Sequence, residues 1–187
     1  MEMERGKVRS EYATLKKMEE NFEWYRDGVR AIMRAQSPQA DEQNSEATAI
    51  SPELKAGVLK LTADIIDADP AYETAIEAVL GESLQYIVVK DQQTGLQAID
   101  YLQTHNAGRS GFVPISSTKP IRANENQMPD PSRLLLNHIR ITPGYENVAQ
   151  ALLGDVILTE TIEAALELFN RNGTLQRIVT KNGEMIS

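Results

Sequence analysis

The sequence predicts a mixed α/β fold built as two similar lobes, and three observations carry that reading. The first is the stretch 72–114, YETAIEAVLGESLQYIVVKDQQTGLQAIDYLQTHNAGRSGFVP. A helix-like run ends at Gly81, an apolar run follows at 86–89, a helical pattern carries Ala98, Ile99 and Leu102, and a glycine-punctuated turn leads into a second apolar run at 112–115. Helix, strand, helix, strand with a helix between the strands reads as a crossover unit with parallel strands. The second is an echo at 145–180, where "AVLG" becomes "ALLG", "YIVV" becomes "VIL", "GLQAIDYL" becomes "IEAALELF" and "RSGFVP" becomes "LQRIVT". The third is the order of these pieces, which is the same both times. Two such units predict two lobes facing one another; the same recurrence is also what any two α/β crossovers would show.

The N-terminal segment, residues 1–35, is predicted helical. It has no proline between Glu2 and Ala35, and Met1, Val8, Leu15, Phe22 and Val29 fall at a seven-residue spacing. Tyr12 and Met33 share the other seam position with Arg5, Glu19 and Arg26. One apolar seam and one mixed seam describe the end of a coiled coil rather than its middle. The cluster Phe22, Trp24, Tyr25 equally suits a helix packed on its own domain, and a helix that begins as coil and finishes as domain satisfies both.

Residues 36–56 are polar, with a proline near each end of "SPQADEQNSEATAISP" and no periodicity, and are expected to be a flexible linker. Lobe one is expected over 57–116. Its apolar run GVLKLTADII at 57–66 reads as a strand, or a short strand and a turn, and Pro70 is placed to open the helix 71–80. Residues 117–143 are expected to connect the lobes: "SSTKPIRANENQMPDPS" is a loop, and "RLLLNHIRI" is a helix or a strand. Lobe two is expected over 144–187. Asn182-Gly183 signals a hairpin turn, whose second strand is expected to run past Ser187, as if the chain were cut from something longer.

Composition narrows the function classes. At 187 residues the chain can bury a proper core. No apolar run approaches the roughly 20 residues that span a bilayer, and the charged residues 1–9 do not read as a signal peptide. There is no cysteine, which excludes disulfides and thiolate zinc sites. The formal net charge is −8, and residues 61–187 hold 9 Lys/Arg against 16 Asp/Glu. Phosphate contacts need clustered cations, so this acidic part is a poor general nucleic-acid binder. The N-terminal arm is the exception, with ten Lys/Arg in residues 1–60, where the plainer account is the solvated face of a charged helix.

Motifs for catalysis are missing. His105 and His138 are the only histidines, and no HExxH, GxSxG or phosphate-loop lysine signature occurs. "NAGRSG" at 106–111 follows a helix and opens a strand, the reverse of a phosphate-cradling loop, so its glycines read as a tight turn with close backbone approach. Asp64, Asp67 and Asp69 lack the spacing of a calcium loop. No cofactor, no metal and no catalytic residue is called for.

The residues that remain carry a resemblance. "NFEWYRDGVRAIM" at 21–33, "GVLKLTADIIDADPAYETAIEAVLGESLQYIVV" at 57–89, "GRSGFVPIS" at 108–116, "YENVAQALLGDVILTETIEAALEL" at 145–168 and "RIVTKNGEMI" at 177–186 together resemble the hinge domain of SMC proteins, the structural maintenance of chromosomes ATPases, in a bacterial form. The resemblance implies a two-lobed hinge fold with pseudo-twofold related lobes. It implies a non-enzymatic dimerisation module, midway along a long chain, between coiled-coil arms whose distant heads hold the ATPase. It implies a homodimer in which lobe one meets lobe two of the partner, head to tail, through paired strands and close-packed glycines.

Carried over by position, the resemblance implies interface residues Gly108, Arg109, Ser110, Gly111 and Phe112 in lobe one and Ile178, Val179, Thr180, Asn182 and Gly183 in lobe two. Independently of it, 112–115 and 178–180 are short apolar strands beside glycines, each the last strand of its unit and so able to lie at a sheet edge, a template for another chain. Gly108 and Gly111 equally suit a role in the turn alone. In the family a glycine-rich stretch that contributes to dimerisation follows the position of 184–187, and none lies within this chain. Arg26, Arg30 and Arg34, four apart on one helix face, are the candidate DNA contacts, for weak and salt-sensitive binding. Cytoplasmic, nucleoid-associated localisation and roles in chromosome condensation and segregation follow from the same resemblance. No membrane partner is expected. Two other classes stand beside it: a small-molecule-binding two-lobed α/β domain, and a hydrolase or transferase that would need His105 or His138 beside a nucleophile.

Overall fold

The computed structural model describes residues 25–36, 50–118, 131–172 and 176–187. The heptad positions up to Phe22 and Trp24, and most of the expected linker, lie outside them. The predicted helix does not run unbroken to residue 35. The chain bends at Tyr25, and a separate helix, α1, spans Asp27–Gln36. The backbone N–H of Arg26 donates to Oε1 of Gln85 at 3.0 Å, a partner outside the helix. The break therefore lies where the chain is pinned to the domain, and it turns Val29, Ile32 and Ala35 inward.

The expected linker also ends earlier than the composition indicates. Residues Pro52–Gly57 form helix α2, with Ser51 as N-cap accepting from the N–H of Leu54 and Pro52 in its first turn. Ile50 and Leu54 are in the core, so packed structure is present before Gly57.

The first sheet has the order β1 (Val58–Leu61), β3 (Ile87–Val89), β4 (Phe112–Pro114). β3 and β4 are parallel, as the crossover reading requires, and β1 pairs antiparallel with β3. The intervening α3 (Pro70–Leu80) starts at N-cap Asp69 and ends at Gly81, whose φ of 46° leaves the helical region. Helix α4 (Gln92–Thr104) fills the crossover. The third sheet has the order β6 (Val156–Thr159), β7 (Arg177–Thr180), β8 (Met185–Ile186). β6 and β7 are parallel around α6 (Ile162–Asn172), preceded by α5 (Glu146–Leu153). The element order of the first unit recurs in the second.

A two-stranded sheet joins them. β2 (Ile66–Ala68) pairs antiparallel with β5 (Ile139–Ile141), and Arg140 bonds Asp67 across the pair at 2.9 Å. "RLLLNHIRI" is thus a 3₁₀ turn, Leu135–His138, followed by a strand. The Asn182-Gly183 turn is present as a three-residue loop. The N–H of Gly183 donates to the carbonyl of Thr180 at 3.0 Å, that of Thr180 to the carbonyl of Glu184 at 2.9 Å, and Gly183 has φ 87°. The returning strand is β8, within the chain.

The core shows how the two units hold together. Alternate strand residues face opposite sides. Ile87 and Val89 pack with α1, α2 and α4, and Val88 on the other face packs with Val148 of α5. Ile157 and Ile178 pack with Ala165 of α6, while Val156, Leu158 and Val179 pack with Ala75, Ile76 and Leu80 of α3. Helix α3 thus covers the sheet of the second unit, while α5 reaches the sheet of the first through Val148 and keeps Leu153 on Val156 and Leu158 of its own. Each fully buried Ile or Val stabilises by roughly 1.5–3 kcal/mol, so the exchange of helices ties the two sheets into one core.

Candidate functional site

Two strand edges stand out against two that are covered. The outer side of β1 is met by α1, where Nε2 of Gln36 donates to the carbonyl of Val58 at 2.9 Å. The outer side of β6 is met by Leu134, which forms an antiparallel bridge with Ile157. Among the described residues no strand lies beyond β4 or β8.

β4 suits an edge. The N–H of Ile87 donates to the carbonyl of Gly111 at 2.9 Å, so alternation along a parallel strand turns Phe112 and Pro114 outward. Pro114 has no N–H to give there and its carbonyl accepts from the hydroxyl of Thr118 at 2.6 Å, so the outer side offers chiefly the N–H and carbonyl of Phe112. Beside β4 runs a groove of about 620 Å³ lined by Ile99, Leu102, Gln103, Asn106, Gly108, Arg109 and Ser110. The lobe-one candidates therefore share one surface: Gly108 and Arg109 exposed, Ser110, Gly111 and Phe112 half-buried.

The glycines on that surface have intrachain reasons. Gly108 has φ 89°, and a Cβ on it would stand 2.9 Å from the Cβ of Asp27. Gly111 lies against the ring of Tyr86, which a Cβ would meet at 2.5 Å. Both make close approaches within the chain.

The edge expectation for 178–180 is corrected. β7 is the central strand of its sheet, because β8 returns along its other side, and Ile178, Val179 and Thr180 are buried. The hydroxyl of Thr180 donates to Glu184 at 2.9 Å, closing the hairpin. Asn182 is exposed in the turn, and Gly183 packs on Thr74 of α3. The free edge on this side belongs to Met185 and Ile186.

Two exposed leucines missed in the sequence lie on the helices that pack beside these edge strands. Leu96 of α4 is 60% exposed and Leu166 of α6 is 48% exposed. Each is the fifth residue of the helix between the two parallel strands of its unit. Gly95, next to Leu96, faces Phe112, and α6 packs on Ile186 of β8. Ile99 and Met185 are also exposed, at 40% and 44%. Ile99, read from the sequence with Ala98 and Leu102 as the core pattern, lies off the buried stripe. The signal available was positional: an apolar residue off the stripe at the same place in both units.

The three arginines do not form an open cationic face. Arg26 precedes α1, and its guanidinium forks onto both oxygens of Glu82, 2.8 Å from Nη1 to Oε2. Arg30 pairs with Asp27 one turn back. Arg34 is exposed near the end of the same helix. The histidines sit in local contacts: Nδ1 of His105 is 2.8 Å from the carbonyl of Tyr101, and Nε2 of His138 is 2.9 Å from the carbonyl of Ser132. Among the described residues no cluster of three His, Asp or Glu side chains is placed to hold a metal ion, and no helix is long and apolar enough to cross a membrane.

Comparison with known proteins gives this geometry its setting. The model of the SMC proteins flexible hinge domain matches residues 55–169. The chromosome partition protein Smc of Myxococcus xanthus is 32% identical over 180 residues, which cover 95% of this chain and 14% of that protein. The protein of the same name from Bacillus subtilis is 28% identical over 186 residues, 96% of this chain and 14% of that one. The chain thus spans about one seventh of the length of these curated relatives. Among solved structures, an asymmetric dimer of the Geobacillus stearothermophilus SMC hinge domain is similar with a TM-score of 0.79 and 25% identity, covering 100% of this chain and 70% of that one. The Pyrococcus furiosus SMC hinge domain gives 0.57 and 25%, covering 87% and 90%.

Proposed function

The chain belongs to the SMC flexible hinge domain family, and from that premise we propose that it joins two copies of a longer chromosome-partition protein by pairing the β4 edge of one copy with the β8 edge of the other. The observation that carries this reading is the matched pair of uncovered edges, in two units whose crossover helices each carry an exposed leucine at the same place. An uncovered strand edge exposes N–H and C=O groups that a second chain can satisfy. Leu96 and Ile99 on one side and Leu166 and Met185 on the other supply apolar area beside the backbone pairing. A twofold axis repeats the contact, so one dimer closes with two identical β4–β8 seams. The hinge domain of Geobacillus stearothermophilus is itself an asymmetric dimer in its crystal structure, which supports dimerisation here.

In this reading the domain does no chemistry of its own, and the ATPase lies in distant parts of the longer protein. Residues 1–35 bring in one coiled-coil arm, 57–116 and 144–187 are the two hinge lobes, and 117–143 connects them. The protein works in the cytoplasm on the nucleoid, and the hinge adds weak, salt-sensitive DNA contact at Arg26, Arg30 and Arg34. The test is the solution mass by light scattering over a concentration series. A mass near twice 20.8 kDa that persists on dilution is expected, and a monomer at every concentration overturns the reading for this chain.

A further inference from the structure

We infer that the cleft at the carboxyl ends of β6 and β7 binds a small phosphate-bearing anion, held between Arg133 and Lys181. The cleft measures about 330 Å³, and Tyr72, Arg133, His138, Thr159, Glu160 and Lys181 supply its polar lining, over Leu158 and Ala164. That is room for a phosphate and a modest substituent, at the small end of ligand sites. The carboxyl ends of parallel strands are where open α/β sheets place their crevices. No residue of β8 lines it, so the reading is separate from the dimer seam.

Charge selects the ligand class. Residues 61–187 carry seven more acidic than basic residues, yet here an arginine and a lysine from two different segments line one cleft. Arg133 ends the 3₁₀ turn Pro131–Arg133, His138 ends another, and Lys181 opens the β7–β8 loop. Arg133 has no carboxylate partner among the described residues, while the one acid of the cleft, Glu160, is taken by Nζ of Lys181 at 2.7 Å. Lys181 also lies 5.8 Å over the ring of Tyr72, whose ring centroid is 5.2 Å from that of His138. The lysine is thus held from two sides, and its bond to Glu160 raises its pKa. Arg133 and Lys181 line the same cleft; the guanidinium offers paired donors and the ammonium, which a phosphate must share with Glu160, a point charge, and together they suit an oxyanion of tetrahedral shape.

The test titrates the chain with inorganic phosphate and, separately, with adenosine 5′-monophosphate at constant ionic strength, followed by calorimetry and amide chemical shifts. Saturable binding with shifts at Arg133, Thr159 and Lys181 is expected, weakened at least tenfold in Arg133→Ala and in Lys181→Gln. Phosphate binding as tightly as the nucleotide identifies a free-phosphate site, and tighter binding of the nucleotide identifies a phosphomonoester site. Arg133 is exposed, so Arg133→Ala is expected to keep the thermal midpoint of the free protein, which separates lost binding from lost folding. No saturation of either probe up to about 20 mM, or unchanged binding in Arg133→Ala, overturns the inference.

Discussion

The carbonyl oxygen of Arg109 stands 2.4 Å from the point where a Cβ on Gly28 would lie. Helix α1 thus rests directly on the loop that leads into β4, and Gly108 of that loop rests in turn on Asp27. Together with the fork of Arg26 on Glu82, this fixes the end of the arm to the first sheet. Gly28→Ala must push backbone against backbone, and Gly108→Ala must also hold an L-residue at φ 89°. Each is expected to cost about 1–3 kcal/mol, read as a lower thermal midpoint. An unchanged midpoint in both would mean that α1 is not seated as described. For the same reason a charge placed at Gly108 or Gly111 tests folding more than dimerisation.

Exposed side chains test the dimer more cleanly. In a head-to-tail dimer with two seams, Leu96→Glu damages both, and so does Leu166→Lys, so each variant alone is expected to be a monomer. Mixing the two variants leaves one seam free of either substitution, and the mixture is expected to recover the dimer mass. Pairing of β4 with β4 predicts otherwise: Leu166→Lys would stay dimeric, and mixing would rescue nothing. Light scattering on the two variants and their mixture decides between the arrangements.

Much of this was legible in the sequence, for reasons that can be named. The parallel units were readable because β3, α4, β6 and α6 are bounded by glycines, caps and a switch from strand to helix periodicity. Local chemistry marked Pro70 as a helix start and Asn182-Gly183 as a turn. What stayed hidden depends on distant partners. Ile66 pairs with Ile141 and Leu134 bridges Ile157, and nothing near those residues announces it. Strand β7 is central only because Met185 and Ile186 return along it, too short a run to show a pattern. Ile50 and Leu54 are core residues inside a polar stretch, where composition outweighs two apolar side chains.

DNA binding is expected to be weak, and the ion pairs say how to check it. Arg26 and Arg30 must leave Glu82 and Asp27 to reach a phosphate, so only a small net release of counterions is available. Each phosphate contact adds about −0.9 to the slope of log affinity against log salt. A slope nearer −1 than −3 is expected in mobility-shift titrations. Glu82→Gln, which releases Arg26, is expected to strengthen binding rather than weaken it. Tight binding that survives near-physiological salt would contradict this account of the three arginines.

Two carboxylates, half-buried Asp91 and exposed Glu146, contribute to the response to acid. Asp91, the N-cap of α4, accepts from the N–H and the hydroxyl of Thr94, both at 2.8 Å, and these bonds hold its carboxyl below the usual range. Glu146 is held low by its own backbone N–H and that of Gly144. A carboxyl lowered by folding contributes stability that is present above its unfolded value and is lost as pH falls through the folded one. The thermal midpoint is therefore expected to fall below about pH 4, and Asp91→Asn to flatten part of that limb. Lys181 is raised by its bond to Glu160, so its contribution runs the other way, present below the unfolded value and lost in alkali. An acid limb unchanged in Asp91→Asn would remove Asp91 from the account.

The exchange of helices between the two units makes the last prediction. Ile76 belongs by sequence to the first unit, yet its side chain is buried with Leu158 and Val179 of the other sheet. Val148 belongs to the second unit and packs on Val88 of the first. Truncating Ile76 to Ala removes packing worth about 2–5 kcal/mol, and the loss should appear where the side chain packs rather than where its helix sits in the sequence. Hydrogen exchange of Ile76→Ala is expected to rise most at the amides of β6 and β7, while β3 keeps more of its protection. Val148→Ala is expected to do the reverse. If each variant instead loosened the sheet of its own unit, the two would be separate lobes that merely touch. Reciprocal exchange would show why neither sheet can be expected to fold without the helix lent by the other.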